Sequence, residues 1–251
     1  MNKRSERYKK IIGENAKFEA ESPYNFCDRW CERCLHEKQM HCRLYLDDLE
    51  RKVTCMAHGK DEDDLEITRE VMEAQYGEVE EKIKEAAEKF GIDLDFPEIE
   101  KVEEEQRIEL EDLPKEIQEH IKFVESHPLP LPVEQYHQRA YAFLKANYYD
   151  EKKSFAPEVK YHFETVIWYH TLLPAKLQRA LAGFHEPADE GEFALYDAVA
   201  QFIICKKAIQ ESVKALKELK AHYPQHKNII IELLALLHNI FDRIEAMEES
   251  I

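Results

Sequence analysis

The second half of the chain places hydrophobic residues at intervals of three and four, which is the pattern of amphipathic α-helices. Four helices are predicted there in succession. Pro132, Pro157 and Pro224 begin the first, second and fourth, and Asp189 caps the third. Because short connections favour antiparallel neighbours, the pattern predicts an antiparallel four-helix bundle in residues 128–251.

The first half is also helical in pattern, although it is more polar. A helix of about residues 37–58 is predicted to end before Gly59, which suits the position just past a helix end. A second helix is predicted over residues 65–90, and Pro114 begins a short third one. Strand patterns are nearly absent, so we expect an all-α fold. We also expect this fold to carry an N-terminal cysteine-rich segment that binds metal.

Alternating prolines in SHPLPLP, residues 126–132, predict an extended polyproline II spacer. Together with the composition, this spacer divides the chain into three expected parts. Residues 1–60 form a cysteine-rich segment and the first helix, residues 61–127 an acidic helical region with a linker, and residues 128–251 the bundle.

Charge and hydropathy exclude several classes of partner. The net charge of −17 falls almost entirely between residues 61 and 125, and no basic patch interleaved with aromatic residues offsets it, so nucleic-acid binding is not expected. No apolar run approaches the length of a membrane span. The basic N-terminus lacks the apolar core of a secretory signal. We therefore expect a cytoplasmic protein without a membrane partner.

Four cysteines, Cys27, Cys31, Cys34 and Cys42, follow the spacing C-x3-C-x2-C-x7-C. In a reducing compartment such a cluster is typical of metal binding and not of disulfides. Four thiolates enclose a metal completely, so the site is expected to be structural or redox-active and to leave no position for a substrate. Zinc is favoured over a [4Fe–4S] cluster, and the spacing leaves both open.

The cysteine spacing is similar to two known motifs. With one residue fewer in the first gap it resembles the structural-zinc lobe of alcohol dehydrogenases. The first three cysteines have the spacing of radical S-adenosylmethionine enzymes, but those enzymes need a barrel of strands and helices, whereas everything downstream here is helical. The two remaining cysteines, Cys55 and Cys205, lie within helical patterns and are predicted to be small buried hydrophobic residues.

The helix from Tyr161 to Gly183 is apolar on nearly all sides, which predicts a central position. Two ionisable residues, Glu164 and His170, lie within its apolar run and would need partners if buried. Pro174 has no N–H, so it leaves the carbonyl of His170 without its helical hydrogen bond and should bend the helix.

Partners for these two residues would come from neighbouring helices, where Asp197 and His238 lie beside core positions. One hypothesis is a second metal site and a helical-bundle metalloenzyme; others are a small-molecule pocket and a buried hydrogen-bond network between histidine and Glu or Asp. Against the metal site, the E-x5-H spacing places Glu164 and His170 about 120° apart on their helix.

Three stretches, NFCDRWCERC, EKFGIDLD and WYHTLLPAKLQRALAG, resemble a group of bacterial all-α proteins with an N-terminal four-cysteine motif. No activity is known for that group, so the resemblance implies one architecture for both halves and no chemistry. The sequence therefore favours a non-catalytic metal-binding protein, acting as a regulatory, redox-sensing or interaction module with another protein as its partner. It assigns neither a substrate nor an oligomeric state.

Overall fold

The computed structural model describes residues 3–21, 26–90, 113–149, 154–185 and 192–249. Within these ranges the regular structure is helical and includes no strand, which confirms the all-α prediction. The acidic connector and the predicted cap Asp189 lie outside the described residues. None of the helices in the described ranges combines the length and the apolar character needed to cross a membrane.

The described ranges contain nine α-helices and two short 3₁₀ turns, at Cys31–Arg33 and Pro224–His226. The helices are α1 (Lys3–Glu21), α2 (His36–Gln39), α3 (Arg43–Ala57), α4 (Leu65–Phe90), α5 (Lys115–Ser126), α6 (Pro130–Asn147), α7 (Pro157–His185), α8 (Glu192–His222) and α9 (Lys227–Glu248). They divide into two compact units: residues 1–30 with 110–251, and residues 31–109.

The first unit is organised around four helices that contact one another in a ring. Helix α7 packs against α8 and α6, and α9 packs against α8 and α6. Their inward faces form one hydrophobic core, in which each large side chain contributes about 1.5–3 kcal/mol by leaving water. The fully buried members include Tyr136, Phe163, Leu173, Leu177, Phe202, Leu216 and Ile230.

Two further helices pack on this ring. Helix α5 lies against α7, and α1 lies against α8 through a small cluster centred on Ile11 and Val199. The sequence patterns did not predict α1. Its Asn15 side chain donates a hydrogen bond to the backbone oxygen of Tyr196 at 2.9 Å, which adds a specific contact to the apolar one.

The prediction of an extended spacer through residue 132 is wrong, because α6 already begins at Pro130. The first four N–H groups of a helix have no partner within it, so Pro130 and Pro132 in the first turn lose little by lacking a donor. Burial favours the helix over the extended conformation here, since Leu129 and Val133 both point into the core.

Gly183 lies where the backbones of α7 and α8 come close together. A Cβ atom at this position would be 2.7 Å from the carbonyl oxygen of Ala194, which is closer than side-chain atoms approach backbone. Glycine is therefore required here for the space it leaves and not for its backbone freedom.

The second unit is described from residue 31 to residue 90, and its main contact joins α3 to α4. Cys55 is completely buried between them. Gln75 of α4 donates to the Glu50 carboxylate of α3 at 2.8 Å. The predicted end of this helix is confirmed: α3 stops at Ala57, and Gly59 follows with a φ of 70°.

Candidate metal-binding segment

The six cysteines fall into two groups that differ in exposure. None forms a disulfide. The four clustered cysteines are partly exposed, whereas Cys55 and Cys205 are both 0% exposed, as predicted for small hydrophobic residues. Burial raises the pKa of the Cys205 thiol to about 12, so this residue is an unreactive thiol at neutral pH.

Three of the clustered cysteines belong to the second unit and lie at turns. The N–H of Cys34 donates to the carbonyl of Cys31 at 3.1 Å and closes the 3₁₀ turn. Gln39 of α2 donates its side-chain amide to the same carbonyl at 2.6 Å. Cys42 immediately precedes α3 and donates its N–H to the carbonyl of Gln39 at 3.0 Å. Hydrogen bonds therefore fix the backbone on both sides of α2.

Cys27 belongs to the first unit, and its sulfur is a hydrogen-bond acceptor. The N–H of Arg29 donates to Cys27 Sγ at 3.4 Å. To do so, Arg29 adopts a φ of 54°, a left-handed conformation that costs a residue with a Cβ about 1–2 kcal/mol. N–H···S hydrogen bonds are a means by which proteins stabilise thiolates bound to metal.

The donor chemistry of this segment fits zinc or an iron–sulfur cluster, since both prefer thiolates. Across the described residues, however, no group of three or more His, Cys, Asp and Glu side chains is arranged to hold a metal ion. The described side chains thus do not form a ready-made cage. The features that suit metal binding are the partial exposure of the four thiols and the position of these cysteines at turns.

Asp28 anchors the residues between the first two cysteines to the helical core. It is 9% exposed, and its carboxylate oxygen Oδ2 accepts hydrogen bonds from Tyr169 at 2.6 Å and from Lys207 at 2.8 Å. Its backbone oxygen accepts another from the indole of Trp168 at 2.9 Å. We call Asp28, Trp30 and these three partners the Asp28 anchor.

Charge and hydrogen bonding determine the protonation state of the anchoring carboxylate. Burial alone would raise the pKa of Asp28, but the hydrogen bonds from Lys207 and Tyr169 and the positive charge of Lys207 outweigh it. The pKa of Asp28 is therefore lower than its ordinary value. The carboxylate is ionised at neutral pH and fully engaged with α7 and α8.

Trp30 adds an aromatic contact to the same anchor. Its ring stacks on Trp168 with centroids 5.2 Å apart, and it meets Tyr169 edge-on at 5.7 Å. Such pairs contribute about 0.5–1.5 kcal/mol each beyond the area they bury. The sequence patterns did not predict this anchor. Its only local signal is an acidic residue and a tryptophan inserted between two cysteines.

Lys176 of α7 lies in an unusual environment within the first unit. It is 7% exposed and makes no hydrogen bond or ion pair with any residue that the structure describes. Burial, followed by the positive charges of Arg29 and Arg179, lowers the pKa of Lys176, while Cys27 and Asp197 act in the opposite direction.

His170, a residue of the predicted second site, is buried at 1% exposure, and within the described residues it makes no hydrogen bond to a carboxylate. Its Nδ1 donates to the carbonyls of Val166 at 3.1 Å and Ile167 at 2.7 Å. Its ring stacks on that of His137, with centroids 5.1 Å apart. The expected network between His170 and Glu164 or Asp197 is not found among the described residues, because the ring bonds to the backbone of its own helix.

The other residues of the predicted second site have separate partners. Glu164 lies 3.6 Å from Lys160 on the same helix. Asp197 accepts two hydrogen bonds from Arg179, each 2.7 Å long. His238 is exposed and bonds to the backbone one turn earlier. Within the described ranges these residues form no group suited to a metal.

The molecule thus offers two features with distinct chemistry: a segment with four accessible thiols, and a buried anchor that holds its first residues on the core. Compared with protein-family models, curated proteins and solved structures, the chain gives no significant match.

Proposed function

We propose that Cys27, Cys31, Cys34 and Cys42 bind one metal centre, with zinc preferred to a [4Fe–4S] cluster, and that this centre has no catalytic role. One observation carries the proposal. The four clustered thiols are accessible and not disulfide-bonded, whereas the two isolated cysteines of the same chain are completely buried. Accessible thiols at this density are typical of ligands and not of core residues.

The local backbone supports the same assignment. The turn at Cys31–Arg33 places two of the thiols within one short bend, and the Arg29 N–H is already a donor to Cys27 Sγ. When bound, the ion would cross-link the segment and neutralise its thiolates. Because an unfolded chain has no such site, part of the binding free energy would stabilise the folded segment.

The Asp28 anchor connects this proposed role to the helical core. Asp28 and Trp30 lie between the first two cysteines and are held by α7 and α8. Coordination at Cys27 and packing at Trp30 would therefore constrain the same four residues. This connection supports a regulatory or structural module, in which loss of the metal changes how firmly the segment is held.

Metal analysis of anaerobically purified protein tests the proposal. We expect one metal centre per chain, colourless if it is zinc and with visible thiolate-to-iron absorption if it is iron–sulfur. Cys42→Ser should lose the metal, whereas the matched control Cys205→Ala, which removes a buried thiol outside the cluster, should keep it. Equal metal content in the two variants, or a wild-type chain that holds neither zinc nor an iron–sulfur cluster, would overturn the proposal.

A further inference from the structure

The second unit buries few of its hydrophobic side chains. Among the described side chains between residues 31 and 90, the buried hydrophobic ones are Cys55 and Ala87. Large side chains at helical spacing remain 40–66% exposed on its two long helices: Leu49, Val53 and Met56 on α3, and Tyr76, Val79 and Ile83 on α4. We call these six residues the hairpin face. Contiguous exposed apolar patches are typical of interaction surfaces.

The hairpin face is continuous because α3 and α4 run antiparallel. At one end of the pair, Arg43 lies 3.9 Å from the Glu78 carboxylate. At the other end, the sulfur of Cys55 lies 3.8 Å from the hydroxyl of Thr68. On each helix the exposed stripe lies roughly 60–130° further round, in chain direction, than the residues that contact the other helix. Equal rotations on antiparallel helices point to the same side, so both stripes share one face.

The charge of the second unit indicates what can cover the hairpin face. Residues 31–90 contain 17 acidic and 10 basic residues. Every basic side chain of α3 is paired with a carboxylate on its own helix, and on α4 Lys82 and Lys84 are paired in the same way with Glu78 and Glu80. The excess of carboxylates therefore gives the surroundings of the face a net negative charge, which a basic partner would complement.

A second copy of the chain would bring the same excess of carboxylates to this face, and like charges at an interface oppose association. A basic amphipathic helix would bring the opposite charge together with an apolar stripe of its own, as such helices do when they bind apolar grooves. We propose that the hairpin face docks a basic amphipathic helix of another protein. This inference goes beyond the proposed metal centre and does not depend on it.

The experiment measures the fluorescence anisotropy of a labelled probe as full-length protein is added. The probe is a helical peptide of leucine and lysine, with its leucines at intervals of three and four. We expect saturable binding that weakens as salt is added, because salt screens the attraction between the lysines and the carboxylates. The same peptide with glutamate in place of every lysine should bind at least about 10-fold more weakly, since its charge opposes that of the protein.

A double variant, Met56→Gln with Ile83→Gln, tests the apolar part of the face. Both side chains are exposed, so the helix content measured by circular dichroism should not change. The affinity for the lysine peptide should fall at least about 10-fold, because one apolar contact is lost on each helix. The matched control is Ile231→Gln, the same change at an exposed isoleucine of α9, which should bind the peptide as wild type does.

Several results would overturn the inference. One is the absence of binding up to about 1 mM peptide, the weak end of specific recognition. Others are equal affinity in wild type and the double variant, and equal affinity for the lysine and glutamate peptides. Sedimentation of wild type as a dimer that the double variant converts to a monomer would assign the face to a second copy instead. Metal analysis of the same samples is a separate measurement, so failure of the metal proposal is distinguishable from failure of this one.

Discussion

His137 donates a hydrogen bond from its ring nitrogen Nδ1 to the carbonyl oxygen of His170, across 2.9 Å. A carbonyl only accepts, so the hydrogen must lie on Nδ1 of His137. Pro174, four residues after His170, has no N–H to offer this carbonyl. A side chain of α6 therefore replaces the hydrogen bond that α7 has lost, and α7 continues as one helix from Pro157 to His185.

The replacement predicts coupling between His137 and Pro174. His137→Phe keeps an aromatic ring for stacking but leaves the buried carbonyl without a donor, which should lower the free energy of unfolding by about 1–3 kcal/mol. In a Pro174→Ala background the new N–H can bond to the same carbonyl, so the loss should be smaller. Urea unfolding of the two single variants and the double variant measures this coupling. Equal losses in both backgrounds would contradict it.

Protonation of His170 should destabilise the fold. Burial is the main cause that lowers the pKa of His170 below 6.5, and the neighbouring His137 contributes in the same direction. The neutral form is thus favoured in the folded protein, and the unfolded chain binds the proton more readily. The contribution of His170 to stability is complete above pH 6.5 and declines as the pH falls from 6.5 toward its folded pKa.

Unfolding free energies measured between pH 7.5 and about 5 test this sign. A His170→Leu variant should lose part of the decline that the wild-type protein shows below pH 6.5. The control His238→Ala removes an exposed histidine and should leave the slope unchanged. A His170→Leu slope equal to that of wild type would show that other groups cause the acid sensitivity.

The six cysteines should differ in reactivity: the four clustered thiols should react in the native protein, and the two buried ones should not. In metal-free native protein, iodoacetamide should modify Cys27, Cys31, Cys34 and Cys42, which are partly exposed. Cys55 and Cys205 should react only after unfolding, since both are completely buried. Peptide mass spectrometry over a time course measures the rates. Rapid native-state labelling at a buried position would show that the helices around it open.

The Asp28 anchor should be measurable by fluorescence, because the chain has two tryptophans, Trp30 and Trp168, and they stack on each other. Asp28→Asn keeps the shape of the side chain but removes the charge that Lys207 and Tyr169 bind. We expect a loss of about 1–3 kcal/mol, reduced to the extent that water screens the exposed lysine.

Tryptophan emission should also shift to longer wavelength in Asp28→Asn if the stacked pair becomes more hydrated. The exposed carboxylate of Asp242 on α9 provides a control, since Asp242→Asn should change neither emission nor stability. Unchanged emission and stability in Asp28→Asn would show that apolar packing holds the segment without the carboxylate.

Local periodicity predicted much of the fold. The bounds of α4 agree with the predicted helix, and α7 begins at the predicted proline, because in both helices repeating apolar positions and a terminal signal occur together. The conformation at Pro130 was not predictable from composition, since it depends on the burial of Leu129 and Val133 against distant helices.

For the candidate site, contacts between distant parts of the chain were even less predictable from local sequence. Spacing identified the four thiols, and the two isolated cysteines are buried as predicted. Nothing local indicated that Asp28 would bond to Tyr169, a residue 141 positions away, or that Lys176 would be largely buried. Such contacts arise from the way α7 and α8 pack, and no short sequence window contains them.

A substitution at Gly183 would disrupt the packing of α7 on α8 without removing any functional group. A methyl group there would act as a wedge against the Ala194 carbonyl, at the end of α7 that meets the beginning of α8. Gly183→Ala would remove no charge, ligand or hydrogen-bonding group, yet it would push apart the two helices that together hold the Asp28 carboxylate.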